Sequence, residues 1–491
     1  MHGKVILVGA GPGDPGLLTE KGKKAISQAE VVVYDRLVSP AILSLMPESA
    51  EQIDVGKEAS HHKVPQHQIN QILLEKAQAG KRVVRLKGGD PFLFGRGGEE
   101  LERLSEAGIP FEVVPGVTSA LSVPAYAGIP VTHRDFCSSL HIITGHAKAG
   151  AKLTIDFEAL KRTGGTLVFL MGVTALPAIC QGLMDAGMEA EMPAAVIERG
   201  TTPRQRKLIS TLGALPQAAA EAKIESPAII VVGKVCTLSE KFDWFDALPL
   251  KGREIVVTRP RERMGALSEK LRALGAAVTE YPCIETVERA ENPALDQAMD
   301  HLAQYRYLVF TSPAGPEIFL KRLLARGQDA RALAGLKIAA IGPKTAHVLM
   351  RFGLKADLVP AVYDSDHLAE AMAEVAGPVL LCRASRGSDA LPKIFSAKGI
   401  PFDDIPCYDT RYETPDAAAI LPLLARDTLV TFTSASTVEG FVKSLRDVDL
   451  SHVLGVCIGE KTAEKARGYG IAVRVAREAT IESLINCIKE V

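Results

Sequence analysis

Short apolar runs that stop in glycine or in small hydroxylated residues recur along this chain, and that pattern predicts an α/β protein. The run at 5–9 reads as a buried strand leading into the turn Gly11-Pro12-Gly13-Asp14-Pro15-Gly16, with Thr19 capping a helix that reaches about Gln28. Further strands are predicted at 31–34, ending on Asp35, and at 83–86. The latter runs into Lys87-Gly88-Gly89-Asp90-Pro91, then Leu93 and Gly95-Arg96-Gly97-Gly98, before a helix over 99–107. So much glycine raises the entropy lost on ordering, and it leaves main-chain N–H and C=O groups bare for a ligand to lie against. The stretch 112–119 reads as one more strand, ending in Thr118-Ser119. The break at 128–135 marks a boundary between two lobes, about 1–128 and 129–240. The second lobe has predicted strands at 140–144, 166–171, 194–198 and 228–232, with Met171, Gly200 and Ala228 at their edges. Ligand sites of open α/β sheets fall at such strand ends.

Residues 241–252, which hold Trp244, are expected to be a linker. Beyond them the chain repeats itself. Arg259 stands 23 residues before Pro282-Cys283, and Arg383 stands 23 before Pro406-Cys407. Thr311-Ser312 precedes Ile341-Gly342-Pro343-Lys344-Thr345-Ala346, and Thr433-Ser434 precedes Ile458-Gly459-Glu460-Lys461-Thr462-Ala463. The order is a, b, a′, b′, and it predicts two similar parallel-sheet lobes over 253–491. Hydroxyls at helix starts and arginines with bidentate reach would form doubled anion sites from Arg259, Thr311, Ser312, Lys344, Arg383, Thr433, Ser434 and Lys461. They suit a large ligand rimmed with carboxylates. The competing reading is that the hydroxyls only cap helices and the arginines only form surface pairs.

Composition narrows the function classes. With 491 residues, 47% hydrophobic and 23% charged, the chain has the make-up of a soluble globular protein of roughly two to four domains. A net charge of −1 gives no electrostatic case for nucleic acid or an anionic membrane. No apolar run is long enough to span a bilayer, and the start enters a strand at once, so no signal peptide is expected. Eight scattered cysteines without a Cys-x-x-Cys pair point to reduced thiols in a cytoplasm. His61, His62 and His67 read as solvated loop residues, and no metal is expected. Gly11, Gly13 and Gly16 match G-x-G-x-x-G with Asp35 further on, which makes an NAD-dependent oxidoreductase the rival reading; two prolines inside the motif weigh against it.

Val8-Gly9-Ala10-Gly11-Pro12-Gly13-Asp14-Pro15, Val33-Tyr34-Asp35, Val55-Gly56-Lys57, the run from Gly88 to Glu100, and Pro130-Val131-Thr132-His133-Arg134-Asp135 together resemble uroporphyrinogen-III C-methyltransferase over 1–240. Residues 253–491 resemble uroporphyrinogen-III synthase through Thr311-Ser312, the turn 341–346, Pro406-Cys407-Tyr408 and the repeat. The resemblance implies a two-lobed tetrapyrrole methyltransferase-type module followed by a bilobed parallel α/β synthase-type module. It implies S-adenosylmethionine as methyl donor, held by Pro12, Gly88, Gly89, Asp90, Leu93, Thr118, Ser119, Met171, Gly200 and Ala228. It further implies Asp35 as proton acceptor, Lys57 as proton donor, and Tyr408 as a residue assisting loss of a terminal hydroxyl. The expected activity is closure of hydroxymethylbilane to uroporphyrinogen III and two methylations to precorrin-2, by a homodimer paired through 1–240. Where relatives have Thr-Ala, this chain has Thr118-Ser119.

Overall fold

In the computed structural model, which describes residues 3–56, 64–145, 154–446 and 448–491 (262 and 263 without their side chains), twenty strands build four five-stranded sheets. The chain forms two compact units, Met1–Gly252 with Leu274–Ala277, and Arg253–Ala273 with Val278–Val491.

The first unit begins with β1 (Lys4–Gly9), β2 (Val31–Tyr34), β3 (Glu51–Asp54), β4 (Arg82–Lys87) and β5 (Phe111–Val114), arranged β3-β2-β4-β1-β5. All their pairings are parallel. Successive side chains of a strand point to opposite faces, and here both faces are covered. Ile6, Val8, Val32 and Val84 pack with Ile26 on one side, while Val5, Leu7, Val31 and Val83 pack with Leu73 and Leu104 on the other. Thr19 caps the helix Glu20–Ser27, accepting from the Gly22 N–H at 3.1 Å.

A second sheet follows: β6 (Leu140–Thr144), β7 (Thr166–Leu170), β8 (Pro193–Glu198), β9 (Arg206–Thr211) and β10 (Ala228–Val232), in the order β6-β7-β10-β8-β9. Only β6 and β7 pair in parallel; the other three pairings are antiparallel. The 112–119 stretch splits. Its strand ends at Val114, and Thr118 caps the helix Ser119–Tyr126, whose Ala120 and Val123 pack against Val168, Ala195 and Ile197 of the second sheet. Pro115 to Val117 therefore form a loop, because the Thr118 hydroxyl offers the Ala120 N–H a cap 3.3 Å away. Residues 241–252 pack on this unit as well. Phe245 is buried against Tyr126, Trp244 donates to the Ala125 carbonyl at 2.9 Å, and Lys251 donates to the Pro203 and Gln205 carbonyls.

In the second unit β11 (Glu254–Val257) and β12 (Ala277–Glu280) open one sheet. The chain then crosses to β13 (Ile284–Glu288), β14 (Tyr307–Phe310), β15 (Lys337–Ala340), β16 (Val379–Ala384) and β17 (Phe402–Tyr412), which form a sheet of their own. It returns to complete the first with β18 (Thr428–Phe432), β19 (Leu454–Cys457) and β20 (Ala472–Val475). The repeats are thus interleaved. β11 of repeat a pairs with β18 of b′, and β16 of a′ pairs with β14 of b. Neither lobe consists of one repeat alone.

The tightest packing in the first unit is backbone on backbone. A Cβ on Gly116 would lie 2.2 Å from the Gly89 carbonyl oxygen and 2.7 Å from the Gly9 Cα, whereas one on Gly98 meets nothing within 4 Å. Gly116→Ala should therefore lower the unfolding midpoint of the first unit by roughly 5–10 °C, about 3 kcal/mol. Gly98→Ala, within the helix Gly97–Glu106, should leave it unchanged or slightly raised; thermal melts followed by circular dichroism check both.

Candidate functional site

Three strand ends of the first sheet converge. Beyond β1, Gly11 forms an antiparallel bridge with Gly89 beyond β4, the Gly89 N–H donating to the Gly11 carbonyl at 2.7 Å. This sets Pro12 beside Gly88-Gly89. Asp90 turns the glycine loop by accepting from the N–H groups of Phe92 and Leu93 at 2.8 and 3.2 Å. Its other oxygen accepts from the Gly116 N–H beyond β5 at 3.0 Å, so all three loops are tied together. Gly89 has φ +68°, and a Cβ there would point into open space. That opening is room for a ligand to approach bare backbone.

The second lobe closes round the same point. Gly13 abuts the Thr202 methyl, the Asp14 N–H donates to the Thr201 hydroxyl, and the Tyr126 hydroxyl donates to Asp14 Oδ2 at 2.7 Å. Burial, then this carboxylate, pushes the Tyr126 hydroxyl well above the ordinary phenol range. Gly200 fits against Val123, where a Cβ would approach to 2.2 Å. Ala228 pairs with Glu198, and Leu170, which precedes Met171, pairs with Ile229. Leu93 packs on this lobe's core. The turn at Gly11, the loop Gly88–Leu93, the helix that starts at Ser119 and the loop at Gly200 thus adjoin one another, with Ala228 and Met171 at strand ends of the second sheet. The Asp90 carboxylate and the Thr118 hydroxyl spend hydrogen bonds on backbone, so they shape the site as well as border it. Met171 is half exposed with φ +54°. Phe94, Arg96, Arg199 and Thr201 share such left-handed backbone, which clusters strain round the cleft. The Gly11–Gly16 run does not open a helix directly: Asp14 caps the short turn Pro15–Leu17, and the helix starts at Glu20. A dinucleotide fingerprint would have its helix begin within the glycines.

Asp35 reaches the rim from the end of β2, where the following Leu37 lies against Gly88. Beneath it is a cluster of charges that sequence reasoning passed over. Arg85 (1% exposed) donates to Asp35 Oδ1 at 2.6 Å and to Glu100 Oε1 at 3.1 Å. Lys87 (3% exposed) donates to the same Glu100 oxygen at 2.9 Å, and Gln66 donates to it at 3.2 Å. Burial and the neighbouring Arg85 charge lower the Lys87 pKa against the pull of Glu100. A signal was present: Arg85 and Lys87 stand two apart on an interior strand and so share a face. Lys57, His61 and His62 lie outside the described residues, and His67 is exposed on the helix Gln66–Gln78.

In the second unit Ser312, beyond β14, shares a 2.6 Å hydrogen bond with the hydroxyl of Tyr408 on β17, which is 6% exposed. Its repeat counterpart Ser434 forms a capping box with Thr437 instead, and Ile284 stands at the position equivalent to Tyr408. Thr311 and Thr433 adjoin these serines at the ends of β14 and β18. Arg383 is held in a bidentate pair with Asp404 at 2.6 and 2.8 Å, which takes up the fork expected for a substrate carboxylate. Lys461 pairs with Asp366 across the two lobes and its pKa is raised by that bond. Lys344 is exposed on the helix Pro343–Arg351, and Arg259 is half buried after β11.

Residues 4–216 match the family model for tetrapyrrole (corrin/porphyrin) methylases, and residues 265–486 match that for uroporphyrinogen-III synthase HemD. The porphyrin biosynthesis protein HemD of Ruminiclostridium josui is 53% identical over 100% of this chain and 98% of its own. The chain belongs to this family. It is an enzyme of tetrapyrrole biosynthesis, a methylase module joined to a synthase module. Siroheme synthase 2 of Cronobacter sakazakii is 54% identical over 50% of this chain, and the match spans 53% of that relative, about half its length. Uroporphyrin-III C-methyl transferase of Thermus thermophilus, solved with S-adenyl homocysteine, is 41% identical over 48% of this chain and 99% of its own, with a TM-score of 0.41. No helix among the described residues is long and apolar enough to cross a membrane.

The methylase module's buried charges make a stability prediction. Glu100→Gln would leave Arg85 and Lys87 without the carboxylate both lean on, and should destabilise the module by about 3–5 kcal/mol, read from denaturant unfolding.

Proposed function

We propose that the synthase module closes hydroxymethylbilane to uroporphyrinogen III and that the methylase module methylates this product twice, from S-adenosylmethionine, to give precorrin-2. The observation that carries the reading is the opening at Gly89, where three glycine-rich strand ends present bare backbone beneath the second lobe. S-adenosylmethionine, when bound, supplies a methyl on sulfonium, which an electron-rich pyrrole carbon takes while the C–S electron pair stays on sulfur. The protein's part is then to orient and to move protons. Pro12, Gly88, Gly89, Thr118, Ser119, Met171, Gly200 and Ala228 would hold the donor, with Asp90 fixing the loop and Leu93 its apolar wall. Asp35, at the rim, accepts the proton lost as the new double bonds settle, and Lys57 donates.

In the synthase module the Tyr408 hydroxyl lends a proton to the departing hydroxyl of the bilane, with Ser312 orienting it at 2.6 Å. Thr311, Thr433, Ser434, Arg259, Lys344 and Lys461 offer hydroxyls and positive charge to substrate carboxylates. The reading includes a homodimer paired through 1–240, a cytoplasmic setting, and a product passed towards sirohaem or cobalamin.

Given hydroxymethylbilane and methyl-labelled S-adenosylmethionine, this chain alone should place two labelled methyls in each tetrapyrrole; label absent from the product would overturn the assignment. Tyr408→Phe should slow closure by about 100-fold, measured as uroporphyrinogen III formed, while methylation of supplied uroporphyrinogen III proceeds at the parental rate.

A further inference from the structure

We propose that Arg85 is a positioning residue, clamped from below by Glu100, that aims the Asp35 carboxylate at the methyl-transfer site. The inference rests on the reading above, in which Asp35 accepts the proton.

Every arm of the Arg85 guanidinium is engaged. Nε donates to Glu100, Nη1 to the carbonyls of Leu86 and Val33 at 3.3 and 3.4 Å, and Nη2 to Asp35. The group is planar, so fixing Nε and Nη1 fixes the direction of Nη2. Glu100 has no exposed surface, and its position is set in turn by Lys87 and Gln66 on the same oxygen. Of the four charged residues in the cluster only Asp35 is substantially exposed, its side chain keeping 31% of its surface. The two cations and two anions balance, so the cluster adds no net charge to the cleft. Stability alone does not account for such an arrangement, since apolar residues of similar volume usually serve a core as well or better. What the arrangement adds is direction: one carboxylate oxygen of Asp35 is tied to a group that has no rotational freedom, and the other is left for the site.

Arg85→Lys keeps the charge beside Glu100 but replaces the fork with a single point, and Glu100→Asp withdraws the anchor by one methylene without removing it. Each should lower kcat for methyl transfer at least tenfold while KM for uroporphyrinogen III and the affinity for S-adenosylhomocysteine, measured by calorimetry, stay within about threefold. In an Asp35→Asn background neither change should slow the enzyme further, because a group acting through Asp35 has nothing left to aim. A loss confined to KM or to S-adenosylhomocysteine affinity, or losses that multiply in the double variants, would overturn the proposal while leaving the Asp35 reading intact. Full activity of Asp35→Asn would instead overturn the Asp35 reading, and the proposal with it. Calorimetric binding shows which variants are folded, so a collapsed Arg85→Lys protein leaves Glu100→Asp to decide.

Discussion

The methylase module depends on the close approach of three main-chain segments. Gly9 and Gly116 meet each other and the Gly89 carbonyl with gaps that exclude even a methyl group, while the Cα of Gly89 faces open space. This contact draws the ends of β1, β4 and β5 into one rim, and the Asp90 carboxylate locks it by bridging two of the loops. Side chains at Gly9 or Gly116 would hold the strand ends apart, and one at Gly89 would cover the backbone. Omitting them yields a surface of amides and carbonyls, held rigidly by the sheet below. The backbone strain at Phe94, Arg96, Met171, Arg199 and Thr201 surrounds this surface and is sustained by the packing beneath it.

Much of this was legible in the residues. Buried strands such as 31–34 and 228–232 read as runs rich in β-branched residues, and the structure places them, like 140–144, at those limits. The edge strands β3 and β9 escaped notice because each is exposed along one side, and Glu51-Gln52 or Arg206-Lys207 look like loop. The helix beginning at Ser119 was hidden by an apolar stretch that periodicity alone cannot assign to strand or helix. Residues 241–252 read as a linker because they separate two blocks of different motif style, and nothing in their spacing shows that two aromatic anchors, Trp244 and Phe245, bind them to Tyr126.

At the sites, sequence spacing found the residues that gather but not what each is occupied with. Ser312 and Tyr408 lie 96 positions apart and share a hydrogen bond, a proximity that follows from β14 and β17 flanking β16. Arg383 looked like a twin of Arg259, yet Asp404 on the adjacent strand claims its fork. The buried pair Arg85 and Lys87 was visible as alternation, but its meaning depends on Glu100, which a helix delivers from beyond the glycine loop.

The interleaved repeats of the synthase module bear on how the protein is made. The lobe of β13–β17 is encoded by one uninterrupted stretch, so its sheet is complete as soon as residue 412 leaves the ribosome. The other lobe has only β11 and β12 at that moment, and must wait for β18, β19 and β20, which lie beyond residue 412. Two orphaned strands are a poor sheet by themselves, and their open edge is a template for mispairing with other nascent chains. Vectorial synthesis therefore favours an inner lobe that forms early and an outer lobe that assembles late.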